Sequence, residues 1–182
     1  RTPGTPVRDE VAQLVDRFNL MTKVIHSHEQ ELKKLVVLDD VTGLYNADHF
    51  REQLEIELSK GRRYKHPTSA LVVDVEGLAG RTPEDQTRAL VRASTFFVSG
   101  LRRVDTVFRI DSYRLAAILP ETPADGAAVA AERLRRFSSD VTSLVSFPIA
   151  LRIRSGGWGD TEEVSLDQAL RWFAESDEDR AG

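Results

Sequence analysis

Apolar residues in the first forty positions fall at Val11, Leu14, Phe18, Met21, Ile25, Leu32 and Leu35, with His28 in the one remaining slot. Spacings of three and four alternate, which is a heptad seam rather than a broad amphipathic face. The pattern predicts a helix over 9–38 that pairs with a second copy. At ~1.5 Å per residue it is about 43 Å long, more than a small domain can cover. Valine, phenylalanine and isoleucine at one seam position with leucine and methionine at the other suit a two-stranded parallel coil. His28 is a tolerated polar group in the seam or a register-setting layer.

The pattern then changes period. Asp39-Asp-Val-Thr-Gly-Leu-Tyr-Asn46 is a turn with glycine near its centre. A helix is predicted over 47–64, with Phe50, Leu54 and Leu58 on one face. Ser69-Ala-Leu-Val-Val-Asp-Val75 is an almost unbroken apolar run, as in a strand buried on both faces. A helix over 83–103 opens with Pro83, Glu84 and Asp85, residues favoured in a first turn. Two strands, 104–110 and 113–119, meet at Asp111-Ser112 as a hairpin that Pro120 ends. A helix over 123–137, a strand over 149–155, a glycine turn at Gly156-Gly-Trp-Gly159 and a helix over 164–174 complete the chain. This order implies an α+β domain of the ferredoxin-like class, with helices on one face of a mostly antiparallel sheet. The expected division is a linker over 1–8, the coil over 9–38, the globular domain over 39–176 and an acidic tail over 177–182.

Composition narrows the functions available. With 182 residues, 41% of them hydrophobic, one ordinary core is expected. A formal net charge of −4 and the lack of a basic tail argue against nucleic acid as a partner. There is no cysteine, which removes thiol nucleophiles and cysteine metal sites and fits a cytoplasmic location. No run approaches the length of a membrane span. His26, His28, His49 and His66 form no metal-binding pattern. The opening Arg1-Thr-Pro-Gly-Thr-Pro6 reads as a linker after an upstream sensory or receiver module.

Three segments together resemble the GGDEF domain of diguanylate cyclases, a nucleotidyl-cyclase-like fold. They are Asp40-Val-Thr-Gly-Leu-Tyr-Asn46, Ala70-Leu-Val-Val-Asp-Val-Glu76 and Phe108-Arg-Ile-Asp-Ser-Tyr-Arg-Leu-Ala-Ala-Ile-Leu-Pro-Glu-Thr122. The likeness implies a bacterial signalling domain that the coil dimerises. Active members hold two metal ions on carboxylates, because the triphosphate and the attacking oxygen both need charge compensation. Asp74 matches the strand-end metal aspartate, and Glu76 is the nearest stand-in for a second acid. The five signature positions fall on Asp111, Ser112, Tyr113, Arg114 and Leu115. Both glycines are replaced, and Arg114 stands where a metal-binding glutamate belongs, so a permanent cation occupies a dication's place. Glu76-Gly-Leu-Ala-Gly-Arg-Thr-Pro-Glu-Asp85 lacks the base- and ribose-reading residues.

The resemblance therefore implies a degenerate, catalytically inactive member with no metal and no cofactor, and Arg114 is expected to pair with Asp74. The function that follows is a dimeric scaffold or regulatory module that binds a protein partner at the remodelled hairpin face. The alternative is a receptor for cyclic di-GMP. Arg102 and Asp105 have the spacing of the family's RxxD inhibition site, in which arginine holds phosphate or a guanine edge and aspartate accepts from guanine. A structural role for Asp105, capping a helix or opening the strand, competes with that reading.

Overall fold

The computed structural model describes residues 7–35, 37–142, 146–158 and 164–175. The chain forms two compact units, Arg1–Val37 and Leu38–Gly182.

The first unit is one helix, α1 (Val7–Leu35). It starts inside the span expected to be a linker and stops short of residue 38. Residues 1–6 and 177–182 lie outside the described residues. Along α1 the seam residues Val11, Leu14, Phe18, Met21 and Ile25 are all exposed, with Phe18 at 66%. The side chains of His28, Leu32 and Leu35 are outside the described set. No helix among the described residues is long and apolar enough to cross a membrane.

The second unit runs α2 (Ala47–Tyr64), β1 (Thr68–Glu76), α3 (Pro83–Ser99), β2 (Thr106–Asp111), β3 (Arg114–Leu119), α4 (Ala124–Thr142), β4 (Ala150–Trp158) and α5 (Leu166–Ala174). Its boundaries follow local chemistry. The Asn46 side chain accepts from the His49 amide to start α2, and Lys65 in the left-handed region ends it. Thr82 caps α3, with Pro83 at its first position. Ser165 and Gln168 form a reciprocal capping box on α5. The expected helix over 83–103 stops at Ser99, because Gly100 closes it with its amide turned back to Phe96 and Phe97.

The four strands form one antiparallel sheet in the order β2-β3-β1-β4. Side chains alternate across β1, so Leu71, Val73 and Val75 face one core with Leu90, Phe97 and Leu134. Ala70 and Val72 face a second core with Phe50, Leu54, Phe108 and Phe173. Helices therefore cover both faces, α3 and α4 on one and α2 and α5 on the other, not one face as expected. The apolar run of β1 is the cause, since a strand apolar on both sides needs cover on both.

A second departure concerns Gly156-Gly-Trp-Gly159. Gly156, Gly157 and Trp158 continue β4, in register with Ala70, Ser69 and Thr68 of β1. A Cβ at Gly156 would stand 2.5 Å from the Trp172 ring, and one at Gly157 would stand 2.6 Å from Ser69 Oγ and 2.8 Å from Ala124 Cβ. The glycines make room for an indole and a helix start rather than for a turn.

Candidate functional site

The site lies where the ends of β1 and the β2–β3 hairpin meet. Asp74 of β1 is in register with Arg114 of β3 on one side and with Arg152 of β4 on the other. The turn is Ser112-Tyr113, one residue later than expected. Asp111 bonds the Ser112 amide at 2.7 Å, and Tyr113 packs against the α3–α4 core. The amide of Val75 donates to the Tyr113 carbonyl at 2.8 Å, which fixes the turn against the end of β1.

Arg114 extends along this seam. Its Nε donates to Asp74 Oδ1 at 2.5 Å, and its Nη1 donates to the carbonyls of Phe173 and Ala174 at 3.0 Å each. The last two contacts satisfy carbonyls at the C-terminal end of α5, where a helix dipole also favours a cation. Both side chains of the ion pair are largely buried, at 17% and 18% exposure. Glu76, the other carboxylate of the strand end, accepts from Arg152 Nη2 at 2.7 Å. Nothing in the sequence pattern links Glu76 to Arg152. Only the β1–β4 register places them together.

These residues do not fit the pair of metal ions that the fold would otherwise hold there. Each carboxylate is held by a guanidinium, and a cation in Arg114's position repels a dication. Among the described residues no group of three or more metal-ligating side chains gathers anywhere. The following loop is exposed along most of its length and anchored at a few points. Leu78 is 1% exposed, Gly77 at φ +86 lies so near the Pro148 carbonyl that a Cβ would meet it at 2.6 Å, and Arg81 stacks over Phe147 at 4.7 Å. Gln86 ties the loop down by donating to the carbonyls of Leu78 and Arg81.

The opening turn is bound to the hairpin from the other side. Asp39 accepts from the Thr42 amide and hydroxyl at 2.8 and 2.7 Å, and from Arg109 Nη1 at 3.0 and 3.2 Å. Arg109 Nη2 reaches the Ser112 carbonyl at 2.9 Å. Burial alone would raise the Asp39 carboxyl, but hydrogen bonds from Thr42 and Arg109 outweigh it and hold the group below its ordinary value. A carboxyl depressed in the folded state adds stability that is present above its unfolded value and lost as pH falls through its folded value. Stability therefore falls on acidification below about pH 4. In Arg109→Gln that fall is shallower, as urea midpoints measured across acidic pH will show; identical slopes contradict the assignment.

Arg102 and Asp105 sit in the turn between α3 and β2. Asp105 Oδ2 accepts from the Arg102 amide at 2.8 Å, and the Asp105 amide donates to the Arg102 carbonyl at 3.1 Å. Asp105 Oδ1 is buried and makes no hydrogen bond among the described residues. Burial pushes the Asp105 carboxyl up against the lowering effects of the Arg102 amide and of the charges of Arg102 and Arg133. Aspartate here builds the turn, while the Arg102 side chain remains exposed.

Comparison with known proteins speaks to the fold and the family. The family model "Diguanylate cyclase, GGDEF domain" matches residues 36–150. A curated relative, the probable diguanylate cyclase DgcC of Escherichia coli, is 25% identical over 135 residues, covering 71% of this chain and 36% of its own length. The chain thus spans about a third of that relative. Among solved structures, the FimX GGDEF domain of Pseudomonas aeruginosa superposes with a TM-score of 0.71 at 17% identity, covering 81% of this chain and 96% of its own. SiaD of the same organism, solved in complex with its activator SiaC, gives 0.67 at 22% identity, covering 96% and 68%. The coiled coil and GGDEF domain of DgcB from Caulobacter crescentus, in complex with c-di-GMP, gives 0.67 at 14% identity, covering 90% and 89%. At these identities the structures speak for the fold, and the family model, matching well over half of the chain, establishes membership: the chain belongs to the GGDEF family of diguanylate cyclase domains.

Proposed function

We propose that this is a catalytically inactive GGDEF domain that works as a dimeric protein-interaction module. One observation carries the reading: both carboxylates at the end of β1 are held by arginines, Asp74 by Arg114 and Glu76 by Arg152. Phosphoryl transfer in such a site depends on metal ions that bridge the phosphates and on donors free to hold them. Here the donors are engaged, and Arg114 is bonded to three oxygens. The exposed seam of α1, with its heptad spacing, supports a two-stranded coil formed with a second copy. A chain without turnover that keeps the fold and the coil retains surfaces, and surfaces serve partners. SiaD, which shares the fold, was solved with its activator SiaC.

A second reading makes the domain a cyclic di-GMP receptor. The exposed Arg102 guanidinium supports it, together with the DgcB structure in complex with that ligand. The commitment of Asp105 Oδ2 to the Arg102 amide weighs against it. Titration calorimetry with cyclic di-GMP separates the two. The interaction-module reading expects no heat; heat that disappears in Arg102→Ala establishes the receptor instead.

A further inference from the structure

The C-terminal end of α3 and the middle of α4 enclose a groove of about 430 Å³. It lies at the opposite end of β2 from the hairpin. Phe96, Leu101, Leu134 and Phe137 line it, and Arg102 and Arg133 stand among its lining residues. Leu134 is fully buried and anchors the floor, whereas Phe137 is 51% exposed among the described residues. Val104, beside the groove in sequence, is 65% exposed. The groove thus sets an exposed aromatic ring beside a buried apolar floor.

The charged residues that line the groove are both arginines, Arg102 and Arg133. Arg102, Arg103, Arg133 and Arg136 are all exposed. Asp105, which feels the charges of Arg102 and Arg133, already accepts the Arg102 amide. Glu132 is engaged by Arg135 at 3.3 Å. The groove is also held open as a unit, since Arg133 Nη2 donates to the Gly100 carbonyl at 2.5 Å and so ties α4 to the end of α3. A basic partner would be repelled by this rim, and an uncharged one would leave the exposed Arg102 guanidinium unmatched.

Resting on the interaction-module reading, we infer that this groove is the partner surface and that it takes an acidic amphipathic helix of another protein. Apolar anchors three and four residues apart would fill the space over Leu134 and Phe137. Carboxylates flanking them would meet Arg102, whose planar fork holds a carboxylate in two parallel bonds, with the charge of Arg133 beside it.

The test pans a display library of amphipathic helical peptides, random at the polar positions, against the full chain. Recovered peptides are expected to be net acidic. Their affinity should fall at least about tenfold in Phe137→Ser and in Arg102→Glu, the size of effect that truncating a buried anchor produces. Both substitutions are at exposed side chains, and an unchanged thermal midpoint for each shows that lost binding is not lost folding. Peptides without acidic bias, or binding that both variants retain, overturn the assignment. If binding survives both of these but is lost in Asp111→Lys, the partner surface is the hairpin: the groove fails and the interaction module stands. Cyclase turnover by the chain would remove the module reading and leave the peptide result to be judged alone.

Discussion

Replacing Arg114 with leucine should lower the unfolding free energy by about 3 kcal/mol, the range found when one partner of a buried ion pair is removed. The substitution keeps much of the side chain's apolar volume, so the loss is electrostatic. Asp74 would stay largely buried without its guanidinium, and the carbonyls of Phe173 and Ala174 would each lose a donor. Urea unfolding of the second unit measures it, with the slope unchanged and the midpoint lowered. The double variant Arg114→Leu with Asp74→Leu should recover a large part of the loss, because a pair removed together leaves no stranded charge. A change below about 0.5 kcal/mol in the single variant, the level of ordinary surface substitutions, would mean that Arg114 is ornamental.

The second large effect is at Gly157. Valine there should cost about 3 kcal/mol or prevent folding, through overpacking rather than through lost contacts. Its first side-chain carbon alone would stand 2.6 Å from Ser69 Oγ and 2.9 Å from the Ala124 backbone. Neither neighbour can retreat easily. Ser69 is fully buried and bonded through Oγ to the Thr122 carbonyl at 2.7 Å, and Ala124 begins α4. Thermal unfolding compares Gly157→Val with a glycine in open space, Gly43→Ala, where only the positive φ of 69° is strained. An equal or smaller loss at Gly157 would contradict the packing account.

Gly157 also shows where sequence reading stops. Glycines after a strand look like a turn when only local chemistry is considered. Their cause here is Trp172 and Ala124, which are distant in the chain and arrive only with the sheet. By contrast, α2 was legible to its ends, since Asn46 and the apolar spacing of Phe50, Leu54 and Leu58 are all local signals. β1 was legible as a strand apolar on both sides. Which helices cover which side was not, because that depends on the order β2-β3-β1-β4.

The candidate site divides in the same way. The pairing of Arg114 with Asp74 followed from aligning the hairpin and β1 with a known family, and the structure puts the two in register. The hold of Arg152 on Glu76 had no such guide. Arg102 and Asp105 were singled out by spacing, and the competing structural role for Asp105 was named with them. The turn shows that role in detail: one carboxylate oxygen on an amide, the other buried. The groove that Arg102 helps to line carries no apolar motif. Its four apolar residues come from two helices and a turn, and each alone reads as core.

We propose that Arg114 and Arg152 have closed the metal site of this GGDEF fold. The most direct measurement is product formation from GTP with magnesium or manganese, made on protein that sedimentation shows to be dimeric, so that a missing partner cannot explain a negative. No cyclic di-GMP above the level of a protein-free control is expected. Cyclic di-GMP that accumulates with time and is abolished by Asp74→Asn would contradict it.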